Sequence, residues 1–168
     1  MTSAPLRRGS VSLGMAGVVL ILGAAAPEKP SVLGESPVAV GEYLVAIGGC
    51  NDCHTDGWNR NPGGIPVAHR LTGSAIGWNG PWGTSFPTNL RLLLQTMIAD
   101  DWVKYVAAMQ PRPPMPWFNM RSMSEADQRA IYAYIRSLGP AGVPAPEALP
   151  PGKTPNGPYI VAVPRPPG

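Results

Sequence analysis

Two cysteines and a histidine stand together at Cys50-Asn51-Asp52-Cys53-His54, and these are the only two cysteines among 168 residues. The pattern C-x-x-C-H is the attachment signature of a c-type haem. Its spacing has a chemical reason. Two intervening residues let both thiols reach the two vinyl groups on one edge of a porphyrin, and the next residue, His54, then projects beneath the iron as a fifth ligand. The rival readings are weaker. A thioredoxin-like redox pair asks for a βαβ setting, and no strand-rich pattern flanks the motif. A zinc site needs further ligands, and the chain offers only His69 and no third cysteine. A plain disulfide across two residues has little structural use. One motif implies one covalent haem.

The sixth ligand decides what such a haem does. An open position suits O₂ or peroxide chemistry. A methionine opposite the histidine raises the reduction potential and suits electron transfer. Downstream candidates are Met97, Met109, Met115, Met120 and Met123. Met97 and Met109 sit at or in a helical stretch and read as core. Met115 lies in Pro111-Arg112-Pro113-Pro114-Met115-Pro116-Trp117. Prolines on both sides fix the backbone there and prevent a helix. A rigid loop of this kind holds a thioether at a set distance from iron. Met115 is therefore the expected ligand. Met120, placed in the same loop, and Met123, beside the next helix cap, stand as rivals. His69 reads as a solvated or loop-bonded histidine rather than an axial ligand.

Three helical stretches position these residues. The first begins at Ser36 or Pro37 and ends at Gly48-Gly49; Val40, Leu44 and Ile47 form its stripe, with Tyr43 beside it. The second covers residues 98–109, with Trp102, Tyr105, Val106 and Met109 at i, i+3, i+4, i+7, and Pro111 stops it. In the third, Ser124 caps a first turn carrying Glu125 and Asp127; Ile131, Tyr134, Ile135 and Leu138 form the stripe, and Gly139-Pro140 ends it. Residues 55–92 are rich in Gly, Pro, Asn and Trp and read as loops with one short helix near residues 90–94. The expected fold class is all-α, with few helices and long loops. Loops of this length need something to pack on, and a porphyrin supplies a large flat apolar surface.

Composition bounds the rest. Charged residues make up 14%, and there are 22 prolines, which argues against a long coiled coil, a large parallel sheet or a charge-rich disordered chain. Three lysines and no basic run exclude a nucleic-acid footprint. Arg7 and Arg8 precede an uncharged stretch centred on Val18-Val19-Leu20-Ile21-Leu22, followed by Gly23, Ala24, Ala25 and Ala26. These are the parts of a secretory signal. Whether it is cleaved or kept as a membrane anchor, the remainder is expected outside the cytoplasm, because the arginines stay inside. Without residues 1–26 there are 11 basic against 10 acidic side chains. Two haem propionates bring the net charge to about −1, so long-range steering is weak and docking rests on an apolar rim, to which Trp117 and Phe118 are candidates. Residues 140–168 hold ten prolines and read as an extended tail that either wraps on the domain through Tyr159, Ile160 and Val161 or stays mobile. The organisation is thus 1–26 signal or anchor, 27–35 leader, 36–139 domain and 140–168 tail.

Gly41-Glu42-Tyr43-Leu44 leading into the C-x-x-C-H motif, then a Met-Pro loop, then a closing helix resembles a bacterial monohaem class I cytochrome c over about residues 36–139. The resemblance implies that class I fold around one covalent haem c attached through Cys50 and Cys53. His54 and Met115 would be its axial ligands. It also implies a close crossing of first and last helices, with Gly41 and Tyr43 set against Tyr132, Tyr134 and Ile135. Residues 77–83 and 87–90 are similar to one subgroup of periplasmic monohaem cytochromes, which makes Trp78, Trp82 and Asn89 candidate donors to the propionates and Arg91 a charge partner. The function implied is one-electron transfer in the periplasm, by a protein that is not itself an enzyme. It would run between partner proteins, a dehydrogenase as donor and an oxidase or another cytochrome as acceptor. A cytochrome subunit of a periplasmic dehydrogenase complex is the first alternative, with the tail as a docking strap. A haem enzyme or gas sensor with a labile sixth ligand is the second.

Overall fold

The computed structural model describes Lys29 and residues 31–163. The expected signal or anchor lies outside the described residues, as do the last five residues of the tail. No helix among the described residues is long and apolar enough to cross a membrane.

Six helices carry the fold. Helix α1 (Pro37–Ile47) starts as its sequence dictates: the Ser36 hydroxyl accepts the Ala39 N–H at 3.2 Å and proline occupies the first turn. Gly49, left-handed at φ +65°, breaks the chain from α1 into α2 (Cys50–His54). The residues read as a loop after α2 contain a hairpin, β1 (Gly77–Gly80) and β2 (Gly83–Ser85). Then come α3 (Leu90–Leu93), capped by the Asn89 side chain, and α4 (Ala99–Ala108). Helix α5 (Trp117–Ser122) follows the proline loop, and α6 (Glu125–Ser137) has Ser124 as its N-cap, accepting the Asp127 N–H at 3.1 Å. Strand β3 (Tyr159–Val161), from the tail, adds to β1 in parallel, giving the sheet order β2-β1-β3.

Helices α1 and α6 make the most extensive helix contact. Gly41 is the reason they can approach. A Cβ at that position would collide with the Ala130 carbonyl and lie 2.7 Å from the Tyr134 Cβ. The crossing brings Val40, Leu44 and Val45 against Ala130, Ile131 and Tyr134, all buried. It also corrects the expected stripe and contact. Tyr43 and Ile47 point outward, because the face that meets α6 is the one centred on Gly41 and carries Val40, Leu44 and Val45 instead. Tyr132 likewise faces away from the crossing, its hydroxyl donating to the Met97 carbonyl at 3.0 Å. Helix α4 closes the other side of α6 through Trp102, whose indole N–H donates to the Gln128 carbonyl at 2.8 Å.

Gly41→Ala is expected to lower stability by about 1–3 kcal/mol through overpacking, read as the denaturant midpoint of the full chain; an unchanged midpoint contradicts the crossing.

Candidate haem-attachment site

Helix α2 is a single short turn, and the spacing of three places Cys50 and Cys53 on one of its faces. Both thiols are free and half-buried. Burial pushes the Cys50 thiol up to about 11 and raises Cys53 as well, with the Asp52 carboxylate adding to both. Both groups are therefore protonated S–H at neutral pH.

The opposite face of α2 is fastened to the fold. Buried Asn51 accepts the Thr55 hydroxyl at 2.7 Å, and that hydroxyl accepts the Leu71 N–H at 2.8 Å. The Gly73 N–H donates to the His54 carbonyl at 2.8 Å. Gly73, at φ +82°, lies so close to the next loop that a Cβ would sit 2.8 Å from the Pro87 carbonyl oxygen and 2.9 Å from the Asn89 nitrogen. This approach brings the Thr88 carbonyl to His54, 2.7 Å from Nδ1. A carbonyl only accepts, so Nδ1 carries the proton and the Nε2 lone pair is left free. Burial also lowers the His54 pKa, which favours the neutral, ligating imidazole.

Met115 is half-buried and packs against the core cluster that Cys50 also touches. Its loop is held from outside: the Ser85 hydroxyl donates to the Pro113 carbonyl at 2.6 Å and Arg112 Nη1 to the Leu149 carbonyl at 2.8 Å. Met120 is not in that loop. It sits on α5, 7% exposed in the core, with its carbonyl taken by the Gln128 side chain at 3.0 Å. Met123 caps α5, half-buried, on the side of Gln128 and Lys29.

The four residues expected near the propionates divide. Asn89 is committed elsewhere. Its oxygen accepts the Leu92 N–H at 3.0 Å, and its amide donates to the carbonyls of Ala141 at 2.8 Å and Val143 at 3.1 Å. It clamps the tail and has no donor left for a propionate. Arg91 is buried and donates to the carbonyls of Gly139, Ala68 and Leu138. No carboxylate pairs with it among the described residues, so its positive charge is what it still offers. Trp78 is half-buried on β1, opposite Ser85. Trp82, in the hairpin turn, buries its indole nitrogen with no hydrogen-bond partner. Two elements at the site were not legible in advance: α5, too short for a periodic signal, and the sheet, whose Gly-Trp-Asn-Gly strand has no apolar alternation.

The cytochrome c family model matches residues 38–139, from α1 to the end of α6. The chain belongs to the cytochrome c family. Its cofactor is accordingly haem c, held covalently through Cys50 and Cys53. A cytochrome c transfers electrons, and the donor set here fits the group. Two adjacent thiols await thioether bonds, a buried indole N–H lacks an acceptor, and a buried guanidinium lacks an anion. Over 135 residues the chain is 29% identical to one of the subunits of the nicotinate dehydrogenase of Pseudomonas putida, a match that covers 72% of this chain and 10% of that protein. The chain thus spans about a tenth of that relative's length. No solved structure matches it.

The double change Cys50→Ala with Cys53→Ala is expected to abolish covalent attachment, read as loss of haem stain on a denaturing gel; retained stain would contradict attachment through these thiols.

Proposed function

We propose that this cytochrome c is exported to the periplasm and carries single electrons between partner proteins, with His54 and Met115 as axial ligands of its haem. The observation that carries the reading is the 2.7 Å contact from His54 Nδ1 to the Thr88 carbonyl. It orients the ring and leaves the Nε2 lone pair available to a metal, an arrangement that ligating histidines use. When bound, the haem supplies a one-electron redox couple.

The chain's own residues do the remainder. Cys50 and Cys53 would hold the haem through two thioether bonds. Met115 offers a neutral, soft donor on a proline-stiffened loop, and two ligands kept in both oxidation states leave little rearrangement to oppose transfer. Trp82 Nε1, buried and without a partner among the described residues, would donate to a propionate, Trp78 would add a second indole donor, and the Arg91 guanidinium would offset the propionate charge. The near-balance of charge leaves docking to apolar surface. Phe118, 56% exposed beside the Met115 loop, with Trp117 edge-on to it at 5.9 Å, supports such a contact there. Export rests on Arg7, Arg8 and the apolar stretch that follows them.

The second reading is a cytochrome subunit or module serving a periplasmic dehydrogenase. The likeness to the Pseudomonas putida protein supports it, and makes a dehydrogenase the favoured electron donor. Co-purification of the native holoprotein with a large dehydrogenase supports this reading, whereas a freely diffusing holoprotein supports the carrier.

Met115→Ala is expected to abolish the methionine-to-iron absorption of the oxidised protein. Met120→Ala is expected to keep that absorption while costing about 2–5 kcal/mol of stability. The reverse pattern would move the ligand to Met120. Trp82→Phe is expected to shift the midpoint potential without changing haem content; an unshifted potential contradicts the propionate bond.

A further inference from the structure

Past α6 the chain visits both loops that hold the proposed iron ligands. Arg91 takes the carbonyls of Leu138 and Gly139. Asn89, next to the Thr88 that orients His54, takes those of Ala141 and Val143. The following stretch borders an open cavity of about 410 Å³, lined by Pro144 and Pro146 on one side and Phe86 and Leu92 on the other. It is therefore fastened at its ends rather than along its length. The far fastening is Leu149. Its N–H donates to the Thr84 carbonyl at 2.9 Å, and its carbonyl accepts the Thr84 N–H at 3.0 Å and Arg112 Nη1 at 2.8 Å. Gly83 makes this contact possible: at φ +96°, a Cβ there would collide with the Leu149 carbonyl and lie 2.7 Å from the Pro150 carbonyl carbon. Strand β3 then joins β1.

The Met115 loop needs such help. Four of residues 111–116 are proline and have no N–H to donate. Few backbone donors remain to tie the loop down: locally the Met115 carbonyl accepts the Trp117 N–H at 2.9 Å, and the fixings to other elements are the Pro113 carbonyl, held by Ser85, and the Arg112 side chain, held by Leu149. Both partners lie on the hairpin and the tail.

We infer that residues 140–161 form a strap that positions the Met115 loop, with Arg112 as the positioning residue that couples loop to strap. The strap limits how often the thioether leaves its ligand position. This rests on Met115 being the sixth ligand.

The test is the rate at which carbon monoxide binds to the reduced holoprotein, because it competes with the thioether for the sixth position. Arg112→Ala is expected to raise that rate by about two- to tenfold, the equilibrium equivalent of one exposed hydrogen bond. Arg112→Lys, which keeps a donor, falls between. Gly83→Ala pushes the strap away with Arg112 intact and is expected to raise the rate as well. Met115→Ala serves as reference and is expected to bind carbon monoxide without competition. If Met115→Ala binds at the wild-type rate, the ligand assignment itself fails. If it binds fast while Arg112→Ala and Gly83→Ala, with full haem content, bind at the wild-type rate, the strap is overturned and the ligand assignment stands.

Discussion

Where α1 and α6 cross, the backbone of Gly41 lies against the Ala130 carbonyl, with no side chain between them. That approach sets the elements on both sides of it. Helix α1 ends at the left-handed Gly49 and delivers α2, so the two thiols and His54 inherit their position from the crossing. Helix α6, on the other side, holds α5, which follows the Met115 loop: Gln128 takes the Met120 carbonyl, and Ser124 starts the helix straight after α5. His54 and Met115, the two proposed ligands, lie 61 residues apart in sequence, and neither takes part in that crossing. A larger residue at position 41 would act on the iron site through geometry, not through contact.

The second constraint is how the two proposed ligands are held. Neither His54 nor Met115 is positioned by its own element alone. His54 is turned by a carbonyl from residues 87–89, which Gly73 lets approach. The Met115 loop, in which proline leaves only two N–H donors, is steadied by Ser85 and Arg112. Under the proposed His54 and Met115 ligation, such external support would let both oxidation states share one geometry. It also gives the proline-rich tail work within the domain: it joins the sheet through β3 and fastens at Leu149.

The attachment motif was legible because its chemistry is local, five consecutive residues with a reason for their spacing. The three main helices were legible from caps and stripes, as Ser36, Ser124 and Gly139 show. What could not be read was anything set by long-range approach. Tyr43 and Ile47 fit a helical stripe, yet the crossing rotated the buried face to Val40, Gly41, Leu44 and Val45. Asn89 carried the right chemistry for a propionate donor, but only the path of residues 141–143 reveals that its amide is spent. Met120 looked like a loop residue beside Met115 because a six-residue helix leaves no periodic trace.

The most direct measurement of the central claim is proton NMR of the reduced holoprotein with its methionine methyl groups labelled with carbon-13. A methyl held over the porphyrin face is moved far upfield by the ring current. The account predicts one such resonance, belonging to Met115 and missing from the Met115→Leu protein. An upfield resonance assigned to Met120 or Met123, or none at all, would contradict it.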